Sequence, residues 1–324
     1  MMKYFKFLSL CTLSLALFAT ESKGADQKIN PLSSSLPQIQ EDKGVSLSIG
    51  LTYQSMLMNS YAPVVSMTSN ETIYKFNYLY SKPIKNFEID AAIGYREKQG
   101  SYDIKITNQY FDGSSTSKFK IQDLDASSNT SLAYDFIGLE LAENFFINRR
   151  FSLRLIGGLL GTLVWMNQSN YYRVHDYEGQ LNINIFSKQT QYGVGPQFGA
   201  NGECKLYNKF GLFVDSQAAL LYGNYKNRTE YKRGISDYFY MNNFKSIFPY
   251  LHGIIGLSYK SSFDNDRDFI QVKLGYDVKC LLGLSQGSEP NIAMFFNIPF
   301  DLIANIRYEP VFSQGLLFDF SWSF

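Results

Sequence analysis

From Val45 onward, apolar and polar positions alternate with a period of two over most of the chain. The pattern is cleanest in the last ten residues, GLLFDFSWSF. There Leu316, Phe318, Phe320, Trp322 and Phe324 fall on one face and Gly315, Leu317, Asp319, Ser321 and Ser323 on the other. Such a strand sets an aromatic face against an apolar environment and a small or polar face against a wet one. An edge strand of a soluble sandwich would leave those aromatics beside unpaired backbone groups, which invites aggregation. A closed sheet in lipid avoids that liability.

The same reading applied in chain order predicts nine further strands. Val45, Leu47, Ile49, Leu51 and Tyr53 oppose Ser46, Ser48, Gly50 and Thr52. A second strand carries Tyr74, Phe76, Tyr78 and Tyr80 and closes on a short turn at 81–86. A third sets Phe87, Ile89, Ala91, Ile93 and Tyr95 outward against Glu88, Asp90, Ala92, Gly94 and Arg96. Residues 98–128 are polar, with two brief apolar alternations, and are expected to form a hairpin above the membrane. The fourth strand covers about 129–141, and the fifth runs from Phe151 to about Gln168, with Arg154 opposite its leucine face. The sixth, near 189–204, contains Pro196, which removes a ladder hydrogen bond and predicts a bulge or a rim position. The seventh opposes Phe210, Leu212 and Val214 to Asp215 and Gln217. The eighth opposes Leu251, Ile255 and Leu257 to His252, Ser258 and Lys260, and the ninth opposes Ile270, Val272, Leu274 and Tyr276 to Gln271, Lys273, Asp277 and Lys279.

Long connections (about 55–72, 98–128, 168–188, 227–245 and 285–313) alternate with short ones (81–86, 142–150, 205–209 and 261–268). Outer-membrane barrels carry short periplasmic turns and longer outside loops. The expected fold is therefore an all-β, antiparallel up-and-down transmembrane barrel of about ten strands, or twelve if 102–123 or 293–308 adds a membrane hairpin.

The N-terminus fits an exported protein. Lys3 and Lys6 precede an apolar run from Phe7 to Ala19, then small and polar residues, which is the layout of a signal peptide cleaved after Gly24, with Ala19 the competing site. A membrane anchor needs about 20 apolar residues, more than this run supplies. The domain plan is 1–24 signal peptide, 25–44 periplasmic tail and 45–324 barrel. The longest later apolar run, Leu155 to Met166 (LIGGLLGTLVWM), has three glycines and is too short for a spanning helix. With 30 basic and 29 acidic residues the chain is near neutral, which gives no electrostatic case for nucleic acid. Cys204 and Cys280 could pair in an oxidising compartment, but two small unpaired strand residues are the preferred reading.

Finishing on Phe, the last strand resembles the terminal strand by which outer-membrane barrels are recognised for assembly, with Phe318, Phe320, Trp322 and Phe324 as the signal. The runs Tyr134-Asp-Phe-Ile-Gly-Leu-Glu-Leu, Tyr192-Gly-Val-Gly-Pro-Gln-Phe-Gly-Ala-Asn, Ala219-Leu-Leu-Tyr-Gly, Leu274-Gly-Tyr-Asp and Gln314-Gly-Leu-Leu-Phe-Asp-Phe go further. They resemble the pore-forming, major-outer-membrane-protein-like family of Legionella and environmental chlamydiae, over roughly the C-terminal 190 residues. The resemblance implies an outer-membrane location, a porin role and no catalytic residue.

The loop pair His175-Asp176 is reminiscent of barrel-rim proteases, but no second acidic pair lies near it in sequence, so no enzyme activity and no cofactor or metal are expected. The glycines of Gly193-Val-Gly195-Pro-Gln-Phe-Gly199 lack the spacing of a phosphate loop. Functional candidates are the inward residues: Glu88, Asp90, Asp215 and Asp277 against Arg154, Lys260, Lys273 and Lys279, with His252 as a lumen hydrogen-bonding group. If a channel runs through, these charges set ion preference; if the lumen is closed, they pair and fill it. Ten strands leave at most a narrow pore. Two functions follow as expectations: a porin-like passage for ions and small solutes, or a closed structural or adhesive barrel displaying its loops. Expected partners are outer-membrane lipid, the barrel-assembly machinery and the solutes themselves.

Overall fold

The computed structural model describes residues 44–58, 63–66, 75–78, 82–96, 102–121, 124–148, 150–176, 179–207, 209–233, 236–263, 268–288 and 306–324. The expected signal peptide and tail lie outside them, apart from Gly44, which opens the first strand. The strands are β1 (Gly44–Met58), β2 (Pro63–Ser66), β3 (Lys75–Tyr78), β4 (Ile84–Arg96), β5 (Tyr102–Ile121), β6 (Leu124–Phe146), β7 (Phe151–Asp176), β8 (Gly179–Tyr207), β9 (Phe210–Arg233), β10 (Ser236–Phe263), β11 (Asp268–Ser288) and β12 (Ile306–Ser323). Ten of these close a barrel in the order β1-β12-β11-β10-β9-β8-β7-β6-β5-β4, while β2 and β3 pair with each other in a separate two-stranded sheet. All pairings in the barrel are antiparallel. Phe324 closes the seam: its N–H donates to the Val45 carbonyl at 3.0 Å and its carbonyl accepts from the Val45 N–H at 2.9 Å.

The expected count of ten holds, but two strand assignments do not. Of the aromatic alternation Tyr74 to Tyr80, the described part, β3, pairs with β2 and not with a barrel strand; Tyr74 and Tyr80 lie outside the described residues. The expected turn at 81–86 is instead where β4 begins, and β4 pairs directly with β1. The stretch read as a hairpin above the membrane, 98–128, contributes β5, which pairs with β4 over Asp103 to Phe111 and with β6 along its length. One strand is lost and one gained, so the up-down parity is right again from β6 on. Likewise, the expected loops 168–188 and 227–245 are largely strand: β7 continues to Asp176, β8 starts at Gly179, and β9 and β10 meet at 233 and 236.

These strands are longer than a membrane requires. At about 3.4 Å per residue and a tilt near 40°, the 29 residues of β8 rise roughly 70 Å along the axis, whereas an apolar barrel band is about 25 Å tall. That band is visible on the outer wall. On β9 the outward residues run from Leu212, 38% exposed, to Tyr222, 55% exposed, ten steps or about 26 Å of rise. Neighbouring strands add Leu159, Val194, Phe198, Ile255, Leu274, Phe318, Ile49 and Ile89, all exposed. Water would penalise such a surface heavily; lipid does not. Aromatics edge the band at both ends, with Tyr53 against Phe87 (ring centroids 5.2 Å apart) at one and Phe210 against Tyr259 (5.1 Å) and Trp322 against Phe324 (4.8 Å) at the other. Short turns lie at the Phe324 end, and long strand extensions lie at the opposite end. By the usual asymmetry of such barrels the extensions are the outside.

Pro196 departs from expectation. It sits in mid-strand opposite Leu159, not at a rim, and pairing resumes across it without a register shift, since Val194 faces Tyr222 and Gln197 faces Ala219. Beside it, β8 and β9 approach closely: a Cβ at Gly195 would lie 1.8 Å from the Leu220 carbonyl oxygen and one at Gly223 would lie 1.9 Å from that of Tyr192. Any side chain at either position would force the two strands apart. Cys204 and Cys280 are free thiols, as preferred.

Candidate functional site

The inward face of a single strand displays how the lumen is filled. Going outward from the Phe324 end, β6 presents Glu140, Gly138, Phe136, Tyr134, Leu132, Thr130 and Ser128. A charge comes first, then an apolar stretch, then uncharged polar groups. On β10 a charge, Lys260, and two polar groups, Ser258 and His252, come before the apolar Tyr250 and Phe248.

The middle layer is a septum. Buried residues from nine of the ten barrel strands meet there, among them Met56, Ile84, Phe111, Leu132, Leu160, Leu221, Phe248, Leu281 and Val311. Its aromatic spine is Phe111 on Tyr134 (5.3 Å between centroids), Tyr134 on Phe136 (4.6 Å), and Phe136 edge-on to Tyr250 (5.2 Å). Strands β6 and β10 are four apart in the barrel order, so the last contact crosses the lumen. Each such ring pair adds about 0.5–1.5 kcal/mol beyond the area it buries. This apolar layer is absent from the expectation of polar inward faces. Its signal was in the run Leu155 to Met166, which is apolar on both faces because Leu155 and Leu159 meet lipid while Ile156, Leu160, Val164 and Met166 are buried inside.

Under the septum lies a fully buried ion network. The Lys279 ammonium donates to Glu88, across the lumen between β11 and β4, and lies 3.4 Å from Asp277 Oδ2. The Tyr134 hydroxyl donates to the other Glu88 oxygen. Asp277 also sits 3.0 Å from His252 Nε2 and accepts from Gln54 Nε2 at 3.1 Å, while the Ser313 hydroxyl donates to Gln54 Oε1. Asp90 is one layer further, with one carboxylate oxygen 3.5 Å from the Thr52 hydroxyl and the other without a hydrogen-bond partner. Glu88, Asp277 and Lys279 are at most 2% exposed. Charges buried this deeply are tolerable only when paired and hydrogen-bonded.

Nearer the Phe324 end, Arg154 makes a two-pronged bond to Asp103 (2.6 and 3.0 Å) and reaches Glu140 at 3.4 Å; Gln217 also donates to Glu140 at 3.4 Å. Lys260 pairs with Glu203 at 2.5 Å and Lys273 lies 3.9 Å from Asp215.

All nine lumen candidates therefore point inward. Five of them (Glu88, Asp90, His252, Asp277 and Lys279) come together, and Arg154, Lys260 and the Lys273–Asp215 pair form separate groups. Sequence reading misses Asp103, because it sets 98–128 as a hairpin above the membrane, and Glu140 and Glu203, which occupy the inward phase of strands read mainly for their apolar face. It also misses Tyr134, Tyr250 and Gln54, which carry no charge to flag them. His175 and Asp176 end β7 opposite Gln180 and Gly179; their side chains fall outside the described ones.

Outside the lumen, the extended hairpins carry a groove of about 480 Å³ on the outer wall, lined by Asn129, Asn167, Phe186, Lys188, Arg228 and Glu230 among others.

Three comparisons bear on identity. None of the curated proteins matches the chain in sequence. Among solved structures it is similar to the outer membrane protease OmpT from Escherichia coli, at 11% identity and a TM-score of 0.45, covering 87% of this chain and 96% of that one. It is also similar to a Pseudomonas aeruginosa FadL homologue, at 6% identity and a TM-score of 0.30, covering 88% and 90%. A third is the CymD monoaromatic hydrocarbon channel, at 9% identity and a TM-score of 0.29, covering 88% and 89%. Likenesses of this size say nothing about activity. The profile of the family described as Legionella pneumophila major outer membrane protein precursor matches residues 43–323. That is nearly the whole described barrel, and the chain belongs to this family of outer-membrane β-barrel proteins.

Proposed function

We propose that the protein is a porin-like barrel giving narrow, weakly selective passage to ions and small solutes, and that the conformation described here is its closed state. The observation carrying this reading is the composition of the lumen. A charged half and an uncharged polar half, where Gln189, Gln191, Asn227 and Thr229 are buried, are separated by an apolar septum resting on buried ion pairs. Polar vestibules on both sides of a constriction suit a path that opens when the constriction shifts. Hydrophobic constrictions gate by dewetting, and near-balanced charges select weakly. Lys279 touches two carboxylates at once, which supplies a low-cost alternative pairing during such a shift.

The test is a planar-bilayer recording of the purified protein. Wild type is expected to give rare, small openings, and Tyr250→Ala, which removes the ring closing the septum against Phe136, is expected to open more often. Silence in both proteins would sink the channel reading and leave the closed structural or adhesive barrel, which the continuous apolar septum favours. We propose no catalytic role for His252, which is buried against Asp277.

We also propose that the barrel-assembly machinery reads the outward phase of β12. Phe318, Phe320, Trp322 and Phe324 are 40–47% exposed on the lipid side, while Ser323 lies on the opposite phase, opposite Ser46. Phe324→Asp is expected to lower assembly strongly and Ser323→Asn to leave it near wild type, scored by heat-modifiable migration in outer-membrane fractions. Equal assembly of the two would discard the idea.

A further inference from the structure

The outer wall just beyond the apolar band carries a cluster that the channel reading does not use. On β8 the outward residues above Tyr192 are Thr190, Lys188 and Phe186; on β9, above Tyr222, they are Asn224, Lys226, Arg228 and Glu230. Tyr192 pairs with Asn224, Thr190 with Lys226 and Lys188 with Arg228. Counting from the row of Tyr192, Lys226 is one row and the Lys188–Arg228 pair two rows further out, roughly 5 and 10 Å along the axis. On β10, Lys245 pairs with Asn224 and adds a fourth outward cation at the level of Tyr192.

Like charges placed directly opposite each other across two strands repel, and Lys188 and Arg228 are so placed. Glu230, 2.7 Å from Arg228, offsets one positive charge of the four. Arg228 is held by this pair and by the face of Phe239, 5.5 Å from the ring centroid, which fixes its guanidinium on the outer wall. Beside it the groove of about 480 Å³ is lined by Asn129, Asn167, Phe186 and Lys188. Aromatic rings of a membrane barrel mark the headgroup level, so the cations of this cluster meet whatever anionic groups the outer leaflet presents. Asparagine amides supply donors and acceptors suited to sugar hydroxyls, and the exposed Phe186, Phe239 and Met241 supply apolar contact.

We propose that this face of β6–β10 is a binding site for a phosphorylated glycolipid headgroup of the surrounding outer leaflet, with Lys188, Lys226 and Arg228 holding phosphate and Asn129 and Asn167 holding sugar. The site ties the extended hairpins to the lipid annulus, which the apolar band alone does not do.

The experiment titrates the full-length folded protein in detergent with bisphosphorylated lipid A and with the same lipid after dephosphorylation, and reads bound lipid by native mass spectrometry. Wild type is expected to prefer the bisphosphorylated form. Lys188→Gln/Arg228→Gln should weaken that binding roughly thirtyfold, from two cations at a charged surface, and Lys188→Gln alone should weaken it by a smaller factor. Lys118→Gln/Lys120→Gln, on the outer wall of β5, should bind as wild type does. Equal affinity for the two lipids, an undiminished Lys188→Gln/Arg228→Gln variant, or an equal loss in the β5 control would overturn the proposal. Complete displacement by millimolar inorganic phosphate would do so as well, because the site would then recognise the free ion and not the headgroup.

Discussion

Replacing Lys279 by Met is expected to cost about 3–5 kcal/mol of barrel stability, because it leaves the buried carboxylates Glu88 and Asp277 without their common cation. Met matches much of the lysine stem, so the loss reports charge and not volume. The measurement is urea unfolding of the protein in lipid vesicles, compared with wild type under the same salt. Because the penalty comes from uncompensated charge, neutralising the partners should recover it. Lys279→Met/Glu88→Gln/Asp277→Asn is therefore expected to regain most of the lost stability, whereas a network valuable for its attraction would keep losing with each change. Lys260→Met, at the mouth of the barrel and 40% exposed at the side chain beside Glu203, should cost no more than about 1 kcal/mol. Similar losses for Lys279→Met and Lys260→Met would mean that water reaches both and that the septum does not seal the network.

This contrast follows from what period-two alternation encodes. The signal is strong only where one face of a strand meets lipid and the other meets a polar lumen. At Leu316 to Phe324, at Phe87 to Tyr95 and at Ile270 to Tyr276 that condition holds, and the register read from sequence places every lumen candidate on its actual side. Beyond the membrane both faces are wet and the alternation fades. β5 illustrates this, since Ile104 and Ile106 mark a strand, but Asp112, Ser114 and Thr116 continue the same outward face and read as loop. At the septum both faces are apolar, and the alternation disappears for the opposite reason, as at Leu155 to Met166. Tyr74 to Tyr80 shows the converse: aromatics at period two satisfy the pattern, but alternation alone does not say that the described part, Lys75–Tyr78, pairs with the nearby Pro63–Ser66 and not with a barrel strand. Side-chain pairs across the lumen, such as Glu88 with Lys279, join residues almost two hundred positions apart and leave no local trace.

The lipid-facing band makes a separate demand on the same register. Leu274 is 55% exposed, paired with Leu257 on one side and Phe318 on the other, and lies near the middle of the apolar face of β11. Arginine there must either stay in hydrocarbon or thin the bilayer around itself, at about 2–4 kcal/mol near the midplane. Ile270, four residues nearer the Phe324 end and opposite Trp322 in the lower aromatic edge, sits where the same substitution costs about 0–1 kcal/mol. Leu274→Arg is thus expected to unfold in lipid vesicles at clearly lower urea than wild type, with Ile270→Arg close to wild type. Lys273, the residue before Leu274, already carries a charge without such a penalty because it points into the lumen, 3.9 Å from Asp215 and over the ring of Phe213 at 4.9 Å. Equal stability of Leu274→Arg and Ile270→Arg would displace the membrane from the band Leu212 to Tyr222, and the headgroup level assigned to Lys188 and Arg228 would move with it.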